Sequence, residues 1–313
     1  MSDNLRIIYM GSPDFAVTPL RALLEAGYKP LAVVSRPDKP RGRGGKLAPT
    51  PVKTAALEME LPVLTPPSVN VPESLAEIAA FEPDLLLTVA FGQILKRELL
   101  QLPRLGAINL HASLLPSYRG AAPIHRAVIS GEAESGLTTM YMGEGLDTGD
   151  MILKARCDIG ATETAGELHD KMMLLGADLL CRTVRLIETG QAPRERQNDT
   201  LATYAPPLTA EDELIDWQMS APVIHNKIRG LNPWPGAHSF WGGKRLKLWR
   251  CHTRPARFSG SPGEVVAVDR QGVWLATGSG ELCLTEVQPA GKSPMDGCAF
   301  ARGYGVQPGG MFG

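Results

Sequence analysis

The densest group of residues able to do chemistry is Asn109-Leu110-His111-Ala112-Ser113-Leu114-Leu115-Pro116-Ser117-Tyr118-Arg119-Gly120. The short apolar run Gly106–Leu110 reads as a buried strand. Strand alternation then puts Asn109 and His111 on one face at its end. Ligands of open α/β sheets sit beyond the carboxyl ends of the strands. An amide donor and an imidazole at that edge can hold a carbonyl oxygen that gains negative charge. A second group, Gly143–Asp150, sets Asp147 among glycine-rich turns, where a carboxylate can orient His111 or relay a proton. Each group also has a plain structural reading: Asn109 as a turn cap, His111 as a satisfied buried histidine, Asp147 and Asp150 as hairpin residues.

Three further segments narrow the chemistry. Gly11-Ser12-Pro13-Asp14-Phe15 follows the first apolar run, but a single glycine is not the series that lets a backbone approach a pyrophosphate. This speaks against a nicotinamide or flavin enzyme. Arg36–Lys46 holds five basic residues, one acid, two prolines and three glycines. It suits either a loop that touches phosphates and tightens on binding or a solvated mobile loop. Its Gly-Lys is not followed by Ser or Thr, so it is not a P-loop. The third segment, Lys227–Arg257, interleaves Trp234, Trp241 and Trp249 with Lys and Arg. Most of the tryptophans are expected in a core, and some of the cations on phosphate.

Stepping from these residues to the elements that must hold them, the first 190 residues alternate strands and helices. Strands are expected at Leu5–Met10, Pro30–Ser35, Asp84–Ala90, Gly106–Leu110, Leu137–Met142 and Met151–Ala155. Helices are expected from an N-cap at Thr18-Pro19 to Gly27, and over Glu73–Phe81, Ala122–Ser130 and Glu163–Thr189. That alternation predicts an α/β domain, residues 1–190, with a mostly parallel sheet and helices on both faces. Polar, proline-containing sequence at 191–207 reads as a linker. Residues 208–313 hold all five tryptophans, one helix at Ala221–Gly230 and five short alternating runs. They predict a small β-barrel. The glycine-rich tail, Gly303–Gly313, is expected to be poorly ordered.

The net charge of −1 hides an asymmetry: Thr209–Gly313 carries 11 Lys/Arg against 9 Asp/Glu, and Trp217–Gly263 has eight Lys/Arg and no acid. Such a balance hints at a polyanionic partner. Five scattered cysteines, without a C-x-x-C pair, fit reduced thiols and neither a disulfide framework nor a structural zinc site. The N-terminus lacks the pattern of a signal peptide, and no apolar run approaches the ~18 residues of a membrane span. A cytoplasmic protein is expected.

Taken together, GSPDF (11–15), RPDKPRGRGGKLAPTPVK (36–53), NLHASLLPSYRGAAPIHRA (109–127), GLDTGD (145–150), LNPWPGAH (231–238) and QPAGKSPM (288–295) resemble the 10-formyltetrahydrofolate-dependent formyltransferase family, its methionyl-tRNA branch above all. The resemblance runs from Leu5 to about Met295 and weakens in the tail. It implies a Rossmann-like formyltransferase domain followed by a small oligonucleotide-binding (OB) type barrel. It implies 10-formyltetrahydrofolate as formyl donor, no metal, and the α-amine of initiator methionyl-tRNA as acceptor. Asn109, His111 and Asp147 match the family's catalytic residues. Ser113, Leu114, Leu115 and Pro116 would line the folate site. Arg41, Arg43, Lys46, Lys244, Arg245 and Lys247 would bind tRNA, Arg43 foremost on the acceptor stem. No membrane and no obligate protein partner are expected, and the chain would act as a monomer. A formyltransferase acting on a glycinamide ribonucleotide or an amino sugar nucleotide would use the same trio, but would leave the basic loop and the Trp-rich basic domain without a role. A non-catalytic RNA-binding protein on the same scaffold would have no use for the trio.

Overall fold

Seven strands form the sheet of the first unit in this computed structural model, which describes residues 5–41 and 45–313. β1 (Ile7–Gly11), β2 (Ala32–Val34), β3 (Lys39–Arg41), β4 (Lys46–Ala48), β5 (Val63–Leu64), β6 (Leu85–Val89), β7 (Ala107–His111), β8 (Glu134–Tyr141) and β9 (Met151–Asp158) follow one another along the chain. The large sheet has the order β9-β8-β7-β6-β1-β2-β5. Its members β5, β2, β1, β6 and β7 pair in parallel, and β8 is antiparallel to β7. β1 and β6 are buried at every position. Both faces of such strands are covered, which is why they read as unbroken apolar runs and not as alternating ones. β3 and β4 form a separate antiparallel hairpin inside the basic segment.

The chain divides into two compact units. The first comprises Met1–Gly120, Ser135–Cys157 and His169–Tyr204; the second comprises Ala121–Glu134, Asp158–Leu168 and Ala205–Gly313. The division is therefore not one cut: two short stretches from the early chain belong to the second unit, and residues 191–204 belong to the first.

Local signals decide the helix starts, and one expectation is corrected. The first helix begins at Val17 after a 3-10 turn at Asp14–Ala16, with no side-chain cap, so Thr18 is not its N-cap. The Thr-Pro pattern works instead at Thr50-Pro51. There the Thr50 hydroxyl accepts from Lys53 N–H at 3.1 Å and proline fills the first helical position.

In the second unit, β10 (His238–Trp241), β11 (Lys244–Arg254), β12 (Val265–Val268), β13 (Val273–Ala276) and β14 (Glu281–Pro289) build a curled antiparallel sheet in the order β10-β11-β14-β13-β12. The helices Pro123–Ile129 and Ala221–Gly230 pack together, and His125 Nδ1 lies 2.9 Å from the Gly230 carbonyl oxygen. The tail expectation is wrong. Gly297–Tyr304 is a helix capped by Asp296. The last residues then bridge both sheet edges, Phe312 to Trp241 and Met311 to Glu264. Phe312 is buried, with ring centroids 4.9 Å from Trp241 and 6.0 Å from Trp217. Of the glycines that suggested disorder, Gly310 serves close approach: a Cβ there would sit 2.6 Å from the Trp241 ring. The tryptophan expectation also fails for the majority. Trp217 and Trp274 are buried, Trp241 and Trp249 are half-buried, and Trp234 is 43% exposed. Aliphatic side chains from the strands fill most of the small interior and leave little room for more indoles.

Candidate active site

β1, β6 and β7 run parallel and end at one edge, at Gly11, Val89 and His111. The strand order reverses between β1 and β6, where an open sheet parts into a ligand crevice. Gly11 is needed there, because a Cβ would lie 2.8 Å from Ala16 Cβ. A cavity of about 380 Å³ opens nearby, lined among others by Ser12, Arg36, Lys39, Thr50 and Ala90. Its floor is held by the Ser12 hydroxyl, which donates to the Phe91 carbonyl at 3.0 Å.

Asn109 and His111 are two residues apart on β7 and so share a face. The Thr88 hydroxyl reaches Asn109 Oδ1 at 3.1 Å from the neighbouring strand. The same hydroxyl also lies 3.0 Å from the Ile108 carbonyl oxygen, so its one proton has more than one acceptor within reach. His111 is buried, and its Nε2 lies 3.0 Å from the Tyr118 carbonyl oxygen. A carbonyl only accepts, so the neutral ring carries its proton on Nε2 and offers Nδ1 as a lone pair. Nδ1 faces Asp147 Oδ2 at 3.6 Å. That is longer than a hydrogen bond. The donor role expected for His111 therefore belongs to Nδ1, and only in the protonated ring.

The two loops that frame this pair are held in unusual backbone conformations. Tyr118 has φ 59° and Asp147 φ 52°, both in the left-handed region. Such residues cost of order 1–3 kcal/mol each and persist where surrounding bonds over-determine them. Here Gly120 N–H donates to Asp147 Oδ2 at 2.8 Å, and Tyr118 N–H donates to the Thr203 hydroxyl at 2.8 Å.

The remaining expected residues fall in different settings. Ser113 and Leu115 are buried: the Ser113 hydroxyl donates to the Ser117 carbonyl at 2.6 Å, and Leu115 packs with Met140 and Met151. Leu114 and Pro116 are half-buried. Arg41 and Lys46 are register partners in the β3–β4 hairpin, Lys46 is exposed, and Arg43 lies outside the described residues. The base of this hairpin is fixed by Lys53, whose Nζ is 2.8 Å from Asp38. Lys244 is exposed, Arg245 pairs with Glu213 at 2.6 Å, and Lys247 donates to the Pro235 carbonyl at 2.8 Å while lying over Trp249. Among the described residues, no cluster of His, Cys, Asp or Glu is placed to hold a metal. No helix among them is long and apolar enough to cross a membrane.

Sequence reasoning missed Thr88 and Gln197, and gave Arg119, inside the densest group, no role of its own. Thr88 carried a signal, as the lone polar residue in an aliphatic buried strand. Gln197 carried none, because it sits in the stretch that reads as a linker.

Comparison with known proteins fixes the class. The description "Formyl transferase" matches residues 5–184, and "Formyl transferase, C-terminal domain" matches residues 207–305. The fold is thus that of the formyl transferases, a Rossmann-like domain joined to an OB-type barrel. A methionyl-tRNA formyltransferase of Moorella thermoacetica is 50% identical over 99% of this chain and 99% of its own. One of Bacillus subtilis is 48% identical over 98% of each. The chain belongs to the methionyl-tRNA formyltransferase family. Among solved structures, an N-formyltransferase of Helicobacter canadensis in complex with folinic acid and dTDP-3-aminofucose superposes with a TM-score of 0.66 at 18% identity. It covers 90% of this chain and 99% of its own, and at that identity it speaks for the fold alone.

Proposed function

We propose that this chain transfers the formyl group of 10-formyltetrahydrofolate to the α-amine of initiator methionyl-tRNA, giving N-formylmethionyl-tRNA and tetrahydrofolate. The observation that carries the reading is the His111–Asp147 pair at 3.6 Å, on the same sheet edge as Asn109. The near full-length relatives that bear the name of this activity support it. The donor supplies a formyl carbon already activated on nitrogen, so the chain's task is to stabilise charge and move one proton.

Asn109, beside the Thr88 hydroxyl, donates from Nδ2 to the formyl oxygen as negative charge builds there. The attacking amine loses a proton as its bond to the formyl carbon forms, and the donor nitrogen regains one as its bond breaks. Asp147 and His111 Nδ1 hold that proton between them. The carboxylate compensates the ring's charge while Nδ1 holds the proton. Buried Ser113 and Leu115 fix the turn of the Ser113–Pro116 segment, and Leu114 and Pro116 present its half-buried edge to the folate.

Arg41, Arg43 and Lys46 in the basic segment, and Lys244, Arg245 and Lys247 on the second unit, contact tRNA phosphate. Of these, exposed Lys46 and Lys244 are the readiest, since Arg245 and Lys247 already have partners. The protein acts in the cytoplasm as a monomer, a setting in keeping with its five free thiols. The test is a formylation assay with 10-formyltetrahydrofolate and three acceptors: methionyl-tRNA, glycinamide ribonucleotide and an amino sugar nucleotide. Formyl-methionine released from tRNA alone is the expected result, and formylation of a small acceptor in its place overturns the reading.

A further inference from the structure

The Gly143–Asp150 loop is gripped from behind by a residue that belongs to no recognised motif. Gln197 Nε2 donates to two carbonyls of the loop, Asp147 O at 2.7 Å and Gly149 O at 2.8 Å. Its Oε1 accepts twice from Arg119, from Nε at 3.0 Å and Nη2 at 2.8 Å. Both amide hydrogens and both lone pairs are therefore used, which fixes which end of the amide faces which partner. Arg119 is 2% exposed, Gln197 is 5% exposed, and Arg119 is held further by Asp199 at 2.7 Å. The backbone around Arg119 touches both catalytic side chains: the Tyr118 carbonyl faces His111 Nε2, and Gly120 N–H donates to Asp147.

We propose that Gln197 is a positioning residue for Asp147, and that the Arg119–Gln197 relay holds the Asp147 carboxylate at its distance from His111. Asp147 lies in the left-handed region with an exposed Leu146 before it, so its own chain does little to fix its place. Without the grip on its carbonyls the loop relaxes toward common backbone angles, and the carboxylate moves away from Nδ1. Gly149 adds a second constraint that points the same way. It packs so closely on the backbone of Tyr141 that it has no room for a side chain, so the loop is pinned at this end, while Asp147 is held by Gln197 at its carbonyl and by Gly120 N–H at its carboxylate. The inference rests on the catalytic reading of Asp147 given above.

Gln197→Glu is the selective probe. It keeps an acceptor and a counter-charge for Arg119, and turns the donor end into an oxygen that faces two carbonyl oxygens. We expect kcat to fall on the order of 10- to 100-fold, with the KM for methionyl-tRNA within about threefold of the parent. In an Asp147→Ala background the same substitution should cost nothing further, because its effect passes through the missing carboxylate. A near-parental kcat for Gln197→Glu overturns the proposal, as does a loss that persists in full in the Asp147→Ala background. If Gln197→Glu does not fold, Gln197→Asn, which keeps the amide but is too short for both partners, takes its place under the same criteria. Failure of both to fold assigns the residue to stability and overturns the proposal. Asp147→Ala alone separates the two readings: if it turns over like the parent, the role of Asp147 has failed, whatever Gln197 does.

Discussion

Replacing Asp147 by Asn removes one charge and almost nothing else. The side chain is the same size, its remaining carbonyl oxygen can still accept from Gly120 N–H, and its backbone carbonyl keeps its bond from Gln197. What is lost is the attraction between a carboxylate and an imidazolium whose Nδ1 is 3.6 Å away. At an effective dielectric of about 20, suited to a partly buried pair, two unit charges at this separation attract by roughly 4–5 kcal/mol. If the ring carries its full charge in the transition state, that corresponds to about three powers of ten in rate, and partial proton transfer lowers it to about two. Steady-state formylation of methionyl-tRNA is the assay, with thermal melting as a control for folding. The expected outcome is a kcat lowered on the order of 10²- to 10³-fold with an unchanged KM for tRNA. A fall of less than about tenfold in a folded variant would refute the reasoning, because the charge would then contribute almost nothing at the moment of transfer.

Phe312→Ala should destabilise the second unit by about 3–5 kcal/mol, since a buried ring packed on Trp217 and Trp241 is removed, and urea unfolding followed by tryptophan fluorescence reads this directly. The Arg126 fork holds the Asp212 carboxyl down at about 2, below its ordinary value, so the pair's contribution is full above the unfolded carboxyl's range near pH 4 and is lost as pH falls toward 2. Asp212→Asn should therefore remove roughly 2 kcal/mol of stability at pH 6 and much less near pH 2, which urea midpoints at several pH values will show. Arg43→Ala should raise the KM for methionyl-tRNA and reduce the slope of log affinity against log salt by about 1, with turnover at saturation preserved; an unchanged slope in filter binding would remove Arg43 from the interface. Burial pushes the Cys283 thiol up to about 12, so alkylation at pH 8 should leave it unmodified in the native protein and label it only after unfolding, as read by mass spectrometry.

The sequence disclosed most where one physical rule dominated. Apolar runs at Ile7–Gly11 and Leu85–Val89, the second broken only by Thr88, fit strands covered on both faces, and the parallel sheet followed from them. The shared face of Asn109 and His111 followed from strand alternation. What stayed hidden depended on long-range partners. The tail from Gly303 has the glycine content of a disordered end, and only Trp241 and Glu264, more than 40 residues earlier, give Phe312 and Met311 something to close on. Thr18 stands in a good capping pattern, but the 3-10 turn at Asp14–Ala16 had already started the helix. Tyr118 enters the site through its backbone carbonyl, which no side-chain pattern encodes, and Gln197 through a fold-back of 50 residues onto Asp147. The tautomer of His111, and with it the ring nitrogen left to face Asp147 as a lone pair, was visible only once Tyr118 had been placed.

The most direct test is the single-turnover rate of formyl transfer, at saturating donor and methionyl-tRNA, for Asn109→Ala and His111→Ala beside the parent. Loss of a donor to the charged formyl oxygen for Asn109, and of the proton carrier for His111, predicts rates lower by about 10²- to 10³-fold for each, with tRNA dissociation constants unchanged. Transfer within tenfold of the parent in both variants, or a loss that vanishes when tRNA is raised, would contradict the assignment of these two side chains to the reacting group.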